Sequence, residues 1–206
     1  MVHVLRQQAD VELVGLLTTV NDVHQRVAMH AVRVELLQAQ AAALGLPLWQ
    51  VPLPWPCSNE DYERIMKGVV QRAVADGITH MAFGDLFLAD IRRYREDRLA
   101  GTGLTPLFPL FGSDTTRLAR DMTASGLKAR LTCVDPKALE ARFAGRDFND
   151  ALLDELPAAV DPCGERGEFH TFAYDGPMFA RPIAIESGVV VERDGFVFAD
   201  VLPAPV

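Results

Sequence analysis

Apolar runs alternate with amphipathic segments through the first half of this 206-residue chain, and that alternation constrains the fold more than any other feature. Residues 11–20 (VELVGLLTTV), 48–53, 80–83 and 104–111 read as strands. Helical patterns cover residues 2–8, 32–44, 59–75 and 89–99. Gly45 and Pro47 stop the second helix, and Gly77 stops the third. Ser58 is placed to cap the helix that begins at Asn59, with Asp61 and Glu63 favourably sited near its positive end. Strands that alternate with helices and are almost unbroken in apolar residues predict a parallel sheet covered on both faces. In such sheets ligands sit beyond the carboxyl ends of the strands. Residues 18–21, 54–59 and the pair Gly84 and Asp85 are therefore the first places to look for a site.

Beyond Gly112 the pattern changes. A helix over 115–124, a strand over 129–134 and a helix over 148–156 precede a charged, Gly-bearing loop at 161–168 (DPCGERGE). Strands follow at 169–174, 183–192 and 196–201, the last two joined by Asp194-Gly195, a strong hairpin signal. The division expected is a larger α/β domain over 1–112 and a smaller α+β domain over 113–206. No repeat or low-complexity linker separates them, so the two are expected to pack tightly.

Composition excludes several classes. The net charge of −8 gives no general driving force for a phosphate backbone, so no nucleic-acid partner is expected. No apolar run reaches the roughly 20 residues that cross a bilayer, and the first residues lack a signal-peptide pattern. Cys57, Cys133 and Cys163 are odd in number and widely spaced, which argues against a disulfide framework and for the cytoplasm. They form no metal-ligand spacing with His3, His24, His30, His80 or His170, so no metal site is expected. Trp49 and Trp55 read as core or pocket wall.

Two segments carry candidate chemistry. In the first, Gly84 and Asp85 end a strand, and Arg92 and Arg95 follow three apart on one helix face, where both could clamp a phosphate or carboxylate. The alternative is a turn followed by a salt-bridged, solvated helix. In the second, Gly164 and Gly167 could turn backbone N–H groups toward an anion, while Glu165, Glu168 and His170 supply acid–base groups or a hold on ammonia. The alternative is a charged surface turn entering a strand.

Several blocks occur in order: GLLTTVN followed by VAMHAVR, PLPWPCSNEDYE, MAFGDLFLADIRRYREDRLAGTGLTPLFPLFG and DPCGERGEFHTF, which together span nearly the whole chain. In sequence and spacing they resemble the diphthine–ammonia ligase-like family of PP-loop ATP pyrophosphatases. The resemblance implies a Rossmann-like (HUP/PP-loop) α/β domain followed by a smaller substrate domain. It implies ATP, with Mg2+ on the nucleotide, as cofactor, and ammonia and a small-molecule or protein carboxylate as partners. A homodimer is compatible with it. The implied chemistry is adenylation of the carboxylate, release of pyrophosphate and amidation by ammonia; in archaea and eukaryotes the family's acceptor is diphthine on elongation factor 2. Carried onto this chain, Thr18, Thr19, Asn21, His30, Gly84, Arg92 and Arg95 would lie on the nucleotide side. Asp85, Glu165, Glu168 and His170 would be catalytic, and Gly167 and Thr171 would meet the acceptor.

The chain departs from the family at its start. MVHVLRQ matches the interior of a helix that, in the family, follows a strand and an SGGKDS-type loop; no such loop occurs in the 206 residues. The expectation is a parallel sheet missing its first strand, with a gap of roughly 10 Å between residues 11–20 and 80–83. Loss of the loop's anion-holding N–H groups would weaken or abolish ATP binding and catalysis. The alternative function is a non-catalytic relative that binds nucleotide or substrate.

Overall fold

A computed structural model of the protein describes residues 1–27 and 29–205. After a short helix α1 (Val2–Leu5), strand β1 (Leu16–Asn21) runs parallel to β3 (Leu48–Leu53), in register from Leu16 opposite Leu48 to Asn21 opposite Leu53. Between them the chain folds back as β2 (Arg26–Val27), antiparallel on the far edge of β1, and then forms helix α2 (Val34–Leu44). Gly45 ends α2 in the left-handed conformation that glycine adopts without steric cost. Helix α3 (Asn59–Ala75) starts at Ser58, whose hydroxyl accepts from the Asp61 N–H, as its N-cap role predicts. Strand β4 (His80–Ala82), helix α4 (Ala89–Leu99) and β5 (Thr105–Leu107) complete this part, with β4 parallel to β5.

The parallel sheet is in two pieces. Among the described residues no ladder joins β1 to β4. A cavity of about 620 Å3 lies between the pieces, lined by Leu16, Leu17, Thr18 and Thr19 on one side and His80, Met81 and Ala82 on the other. The gap expected between these strands is therefore present. Among the described residues, β3 alone pairs with β1 along residues 16–19, and β5 alone pairs with β4.

Residues 113–205 build an antiparallel sheet. Helix α5 (Thr115–Ala124) precedes β6 (Lys128–Val134), which is flanked by β8 (Phe169–Asp175) on one edge and by β7 (Asp147–Phe148) and β10 (Phe196–Pro203) on the other. Helix α6 (Asp150–Glu155) covers its core, and β9 (Ile185–Arg193) pairs with β10. Asp194 and Gly195 both have positive φ in the turn between β9 and β10, the geometry that makes Asp-Gly a hairpin sequence.

Some expected boundaries shift for reasons of pairing. Residues 11–15 are not strand, because the parallel partner begins only at Leu48 and Pro47 offers a carbonyl to Leu16 N–H but no donor. Residues 108–111 turn away from the sheet because β4 is only three residues long. The helix expected over 148–156 is confined to Asp150–Glu155, since Phe148 belongs to β7. Trp49 does form cavity wall, but Trp55 is 61% exposed and meets the His24 ring edge-on.

The two halves share a core. Val32, Leu36 and Ala43, from α2 and the residues before it, pack with Phe172, Ile183 and Val201 of the second half. Gln40 donates to the Ala173 carbonyl at 2.7 Å. Each fully buried side chain of this size contributes about 1.5–3 kcal/mol, so the seam is a structural core and not a loose domain contact. No helix among the described residues is long and apolar enough to cross a membrane.

Candidate functional site

The two candidate segments meet. The Leu86 N–H donates to Glu165 Oε1 at 2.7 Å, and the Arg166 guanidinium lies 5.0 Å from the centre of the Phe87 ring. The turn after β4 is thus joined to the charged loop 161–168 by a charge-assisted hydrogen bond and a cation–π contact. Within that loop the other two carboxylates, of Asp161 and Glu168, face inward. Glu168 is buried and accepts from Asp161 N–H at 3.0 Å and Arg166 N–H at 2.9 Å. Asp161, also buried, accepts from Glu165 N–H at 2.9 Å.

This corrects the expected anion cradle. The loop's N–H groups do turn together, but toward Glu168 and Asp161 rather than outward. The Gly167 N–H is likewise used, by the Gly164 carbonyl. Glycine is required at Gly164, where φ is +70° and a Cβ would lie 2.7 Å from the Phe169 carbonyl oxygen.

Around Gly84 the arrangement is more open. A Cβ there would meet nothing within 4 Å, so packing does not demand the glycine. Asp85 binds Arg95 through both oxygens, at 2.7 and 3.1 Å, and the Arg95 guanidinium lies over Phe83. Arg92 bonds Glu96 at 2.8 Å and packs against Phe108 and Phe111. Both arginines already have carboxylate partners, so an incoming phosphate would have to displace one.

His30 and His170 come together from opposite halves, with ring centroids 4.4 Å apart. Burial lowers the His30 pKa, against the raising effect of its hydrogen bond to the Thr171 backbone. Burial, reinforced by His30, pushes His170 down to about 4. Two neutral imidazoles therefore face each other at neutral pH. Cys163 and Cys133 are pushed up by burial, to about 12 and about 11, so neither is a ready thiolate nucleophile.

The remaining candidates are spread out. Thr18 and Thr19 line the cavity between the two sheet pieces. The Asn21 side chain caps its own turn, accepting from Val23 and His24 N–H at 3.0 Å each. Thr171 stands in β8 opposite Leu131. Among the described residues, no three His, Cys, Asp or Glu side chains gather into a metal site.

Sequence reasoning missed Arg26, Arg33 and Asp200. Asp200, on β10, accepts from Arg26 at 2.8 and 3.3 Å and from Arg33 at 3.2 and 2.6 Å. These arginines flank the turn that carries His30. No spacing signal could reveal a partner more than 160 residues away.

The family model described as the diphthamide synthase C-terminal domain matches residues 114–198. The diphthine–ammonia ligase of Danio rerio is 30% identical over 180 residues, covering 78% of this chain and 69% of that protein. The chain belongs to the diphthine–ammonia ligase family. The Homo sapiens diphthine–ammonia ligase is 27% identical over 197 residues, covering 86% of this chain and 70% of its own. A Schizosaccharomyces pombe relative of the same name reaches 35% over 139 residues, covering 66% of this chain and 23% of its own. Within this family member, the match at 114–198 takes in both His170 and the whole 161–168 loop.

Proposed function

We propose that the chain is an ATP-dependent, amide-forming ligase whose acceptor and ammonia side lies at the seam between the halves, and whose nucleotide side is impaired in these 206 residues. The meeting of His30 with His170 carries this reading, because it assembles one half-buried polar pair from both halves. The names of the relatives support diphthine as acceptor class and ammonia as amine donor. Family ligases join the two in two steps. An oxygen of the acceptor carboxylate attacks the α-phosphorus of ATP, and the bond to pyrophosphate breaks. Ammonia then attacks the acyl carbon, the bond to AMP breaks, and the nitrogen sheds a proton.

The residues divide by role. Burial lowers both pKa values, that of His170 to about 4, so His170 and His30 serve better to orient ammonia through hydrogen bonds than to abstract its proton. Their neutral, half-buried setting also disfavours ammonium over ammonia. Thr171 holds His30 through its backbone, and Glu165 ties the loop to the β4 turn. Glu168 and Gly167 act by shaping that loop. Gly84 leaves the backbone open to a ligand, and Asp85 orients Arg95 beside it, with Arg92 one turn away. Thr18, Thr19 and Asn21 belong to the nucleotide side. With the division near residue 112, residues 1–112 form the nucleotide unit and 113–206 the acceptor unit, supported by the family match at 114–198.

No SGGKDS-type loop is present in the sequence, and a helix N-terminus with free N–H groups is what holds a leaving pyrophosphate. Mg2+ would arrive on the nucleotide's own phosphates. The second reading, a non-catalytic relative that binds nucleotide or acceptor, is favoured by the inward-facing carboxylates of Glu168 and Asp161. The test is to incubate the chain with ATP, Mg2+, 15N-ammonium and a diphthine-bearing protein, then measure AMP and the labelled amide. The impaired-ligase reading expects amide and AMP in equal amounts but at a small fraction of the rate of a relative carrying the loop. Acceptor binding with neither product would support the second reading instead.

A further inference from the structure

We infer that Asp200 is a positioning residue: through Arg26 and Arg33 it holds the turn that sets His30 against His170. The turn between β2 and α2 is poorly determined by its own sequence. Met29 and Ala31 have φ of 61° and 54°, a left-handed conformation that these side chains rarely adopt. Such a turn persists only where its surroundings over-determine it. Its local support includes the Ala31 N–H to Val27 carbonyl bond at 3.0 Å, the Val27 N–H to Val32 carbonyl bond at 2.8 Å and the Val34 N–H to Gln25 carbonyl bond at 3.2 Å. The outside support comes from β10. Arg26 and Arg33 pair across the base of the turn as an isolated antiparallel bridge, and both guanidiniums converge on one carboxylate. Arg26 Nη1 also donates to the Ala31 carbonyl at 2.7 Å, next to His30 itself.

Two like charges at the base of a turn repel each other unless an anion stands between them. Asp200 is that anion, with only 14% of its side chain exposed. It stands at a register irregularity of β10, between Ala199 and Val201, where the strand departs from regular pairing with β9. The contact spans the two halves, so one carboxylate of the second half determines where a histidine of the first half stands. Its functional weight rests on the seam reading proposed above; the placement does not, and the test reads the placement.

The experiment is histidine-ring NMR on the full chain, following the contact between the His30 and His170 rings and the titration of His170. Beside that ring stand the His30 ring, itself hydrogen-bonded to the Thr171 backbone, and Cys133, the register partner of His170 on β6. The wild type is expected to show the ring–ring contact at pH 7.5. In Asp200→Asn that contact is lost and the His170 midpoint rises by about one pH unit or more, as the ring gains solvent and loses its neighbour. Asp200→Glu, which keeps the charge, restores most of both signals. Asp154→Asn, which weakens the separate Arg120 pairing on α5 and α6, leaves both unchanged. A folded Asp200→Asn with ring contact and titration intact would overturn the inference. If that variant does not fold, Arg33→Gln decides by the same two signals: a shifted titration and weakened contact support the clamp, and unchanged signals reject it.

Discussion

At Asp200 burial works against ionisation, and hydrogen bonds from Arg33 and Arg26 outweigh it, leaving the carboxyl at about 2. A folded-state value below the unfolded one means stability that is present above about pH 4 and is lost as pH falls through 2. The shift corresponds to about 2 kcal/mol, a sizeable part of a typical domain's stability. His170 has the same sign by another route. Its folded value of about 4 lies below the ordinary 6.5, so the unfolded chain binds the extra proton first. Stability should therefore be flat above pH 6.5 and decline as pH falls from 6.5 toward 4. Urea unfolding at a series of pH values checks this, and His170→Asn should flatten the decline in that window. Gly84 provides a separate residue-scale test. Ala fits there without a clash, so Gly84→Ala should change the melting temperature by no more than 1–2 °C. If a ligand approaches this backbone, the same variant should weaken nucleotide or acceptor binding several-fold, as read by calorimetry.

At the scale of elements, the loop 161–168 is held by its own acids. Glu168→Ala would leave the Asp161 and Arg166 N–H groups without their acceptor, at a cost of about 2–4 kcal/mol. Hydrogen exchange should show these amides opening first, with the Leu86 amide following as Glu165 loses its setting. Unchanged protection at Asp161, Arg166 and Leu86 would contradict the bracing role. Much of the element structure was legible beforehand. The helix over 89–99, the Ser58 cap and the Asp194-Gly195 hairpin follow from local periodicity, capping and turn chemistry, which do not depend on distant contacts. Residues 11–15 misled because their apolar pattern suits a strand, whereas strand formation also needs a partner alongside. In the loop, the glycines signalled an unusual turn, but the acids that its N–H groups would meet could not be foreseen from spacing.

At the scale of the molecule, the histidines were legible as candidates and their meeting was not. His30 and His170 stand 140 positions apart, and tertiary contacts between the halves bring them together: the shared core that joins α2 to β8 and β10, and the pairing of Arg26 and Arg33 with Asp200. The Asp200 clamp was illegible for the same reason. The divided parallel sheet was foreseeable, since the family's loop and the strand before it have no counterpart in these residues. The result is uneven: a well-packed seam carrying the polar pair, beside an N-terminal half whose parallel sheet is divided by a cavity. The function proposed above puts the acceptor side at the seam and no cradle for the leaving pyrophosphate within these 206 residues. Calorimetry of the full chain with Mg2+-ATP and, separately, AMP tests it most directly. The account predicts that ATP binds no more than a few-fold tighter than AMP, because no phosphate-binding loop adds affinity for the outer phosphates. ATP binding about 100-fold tighter than AMP, equivalent to nearly 3 kcal/mol at the phosphates, would contradict it.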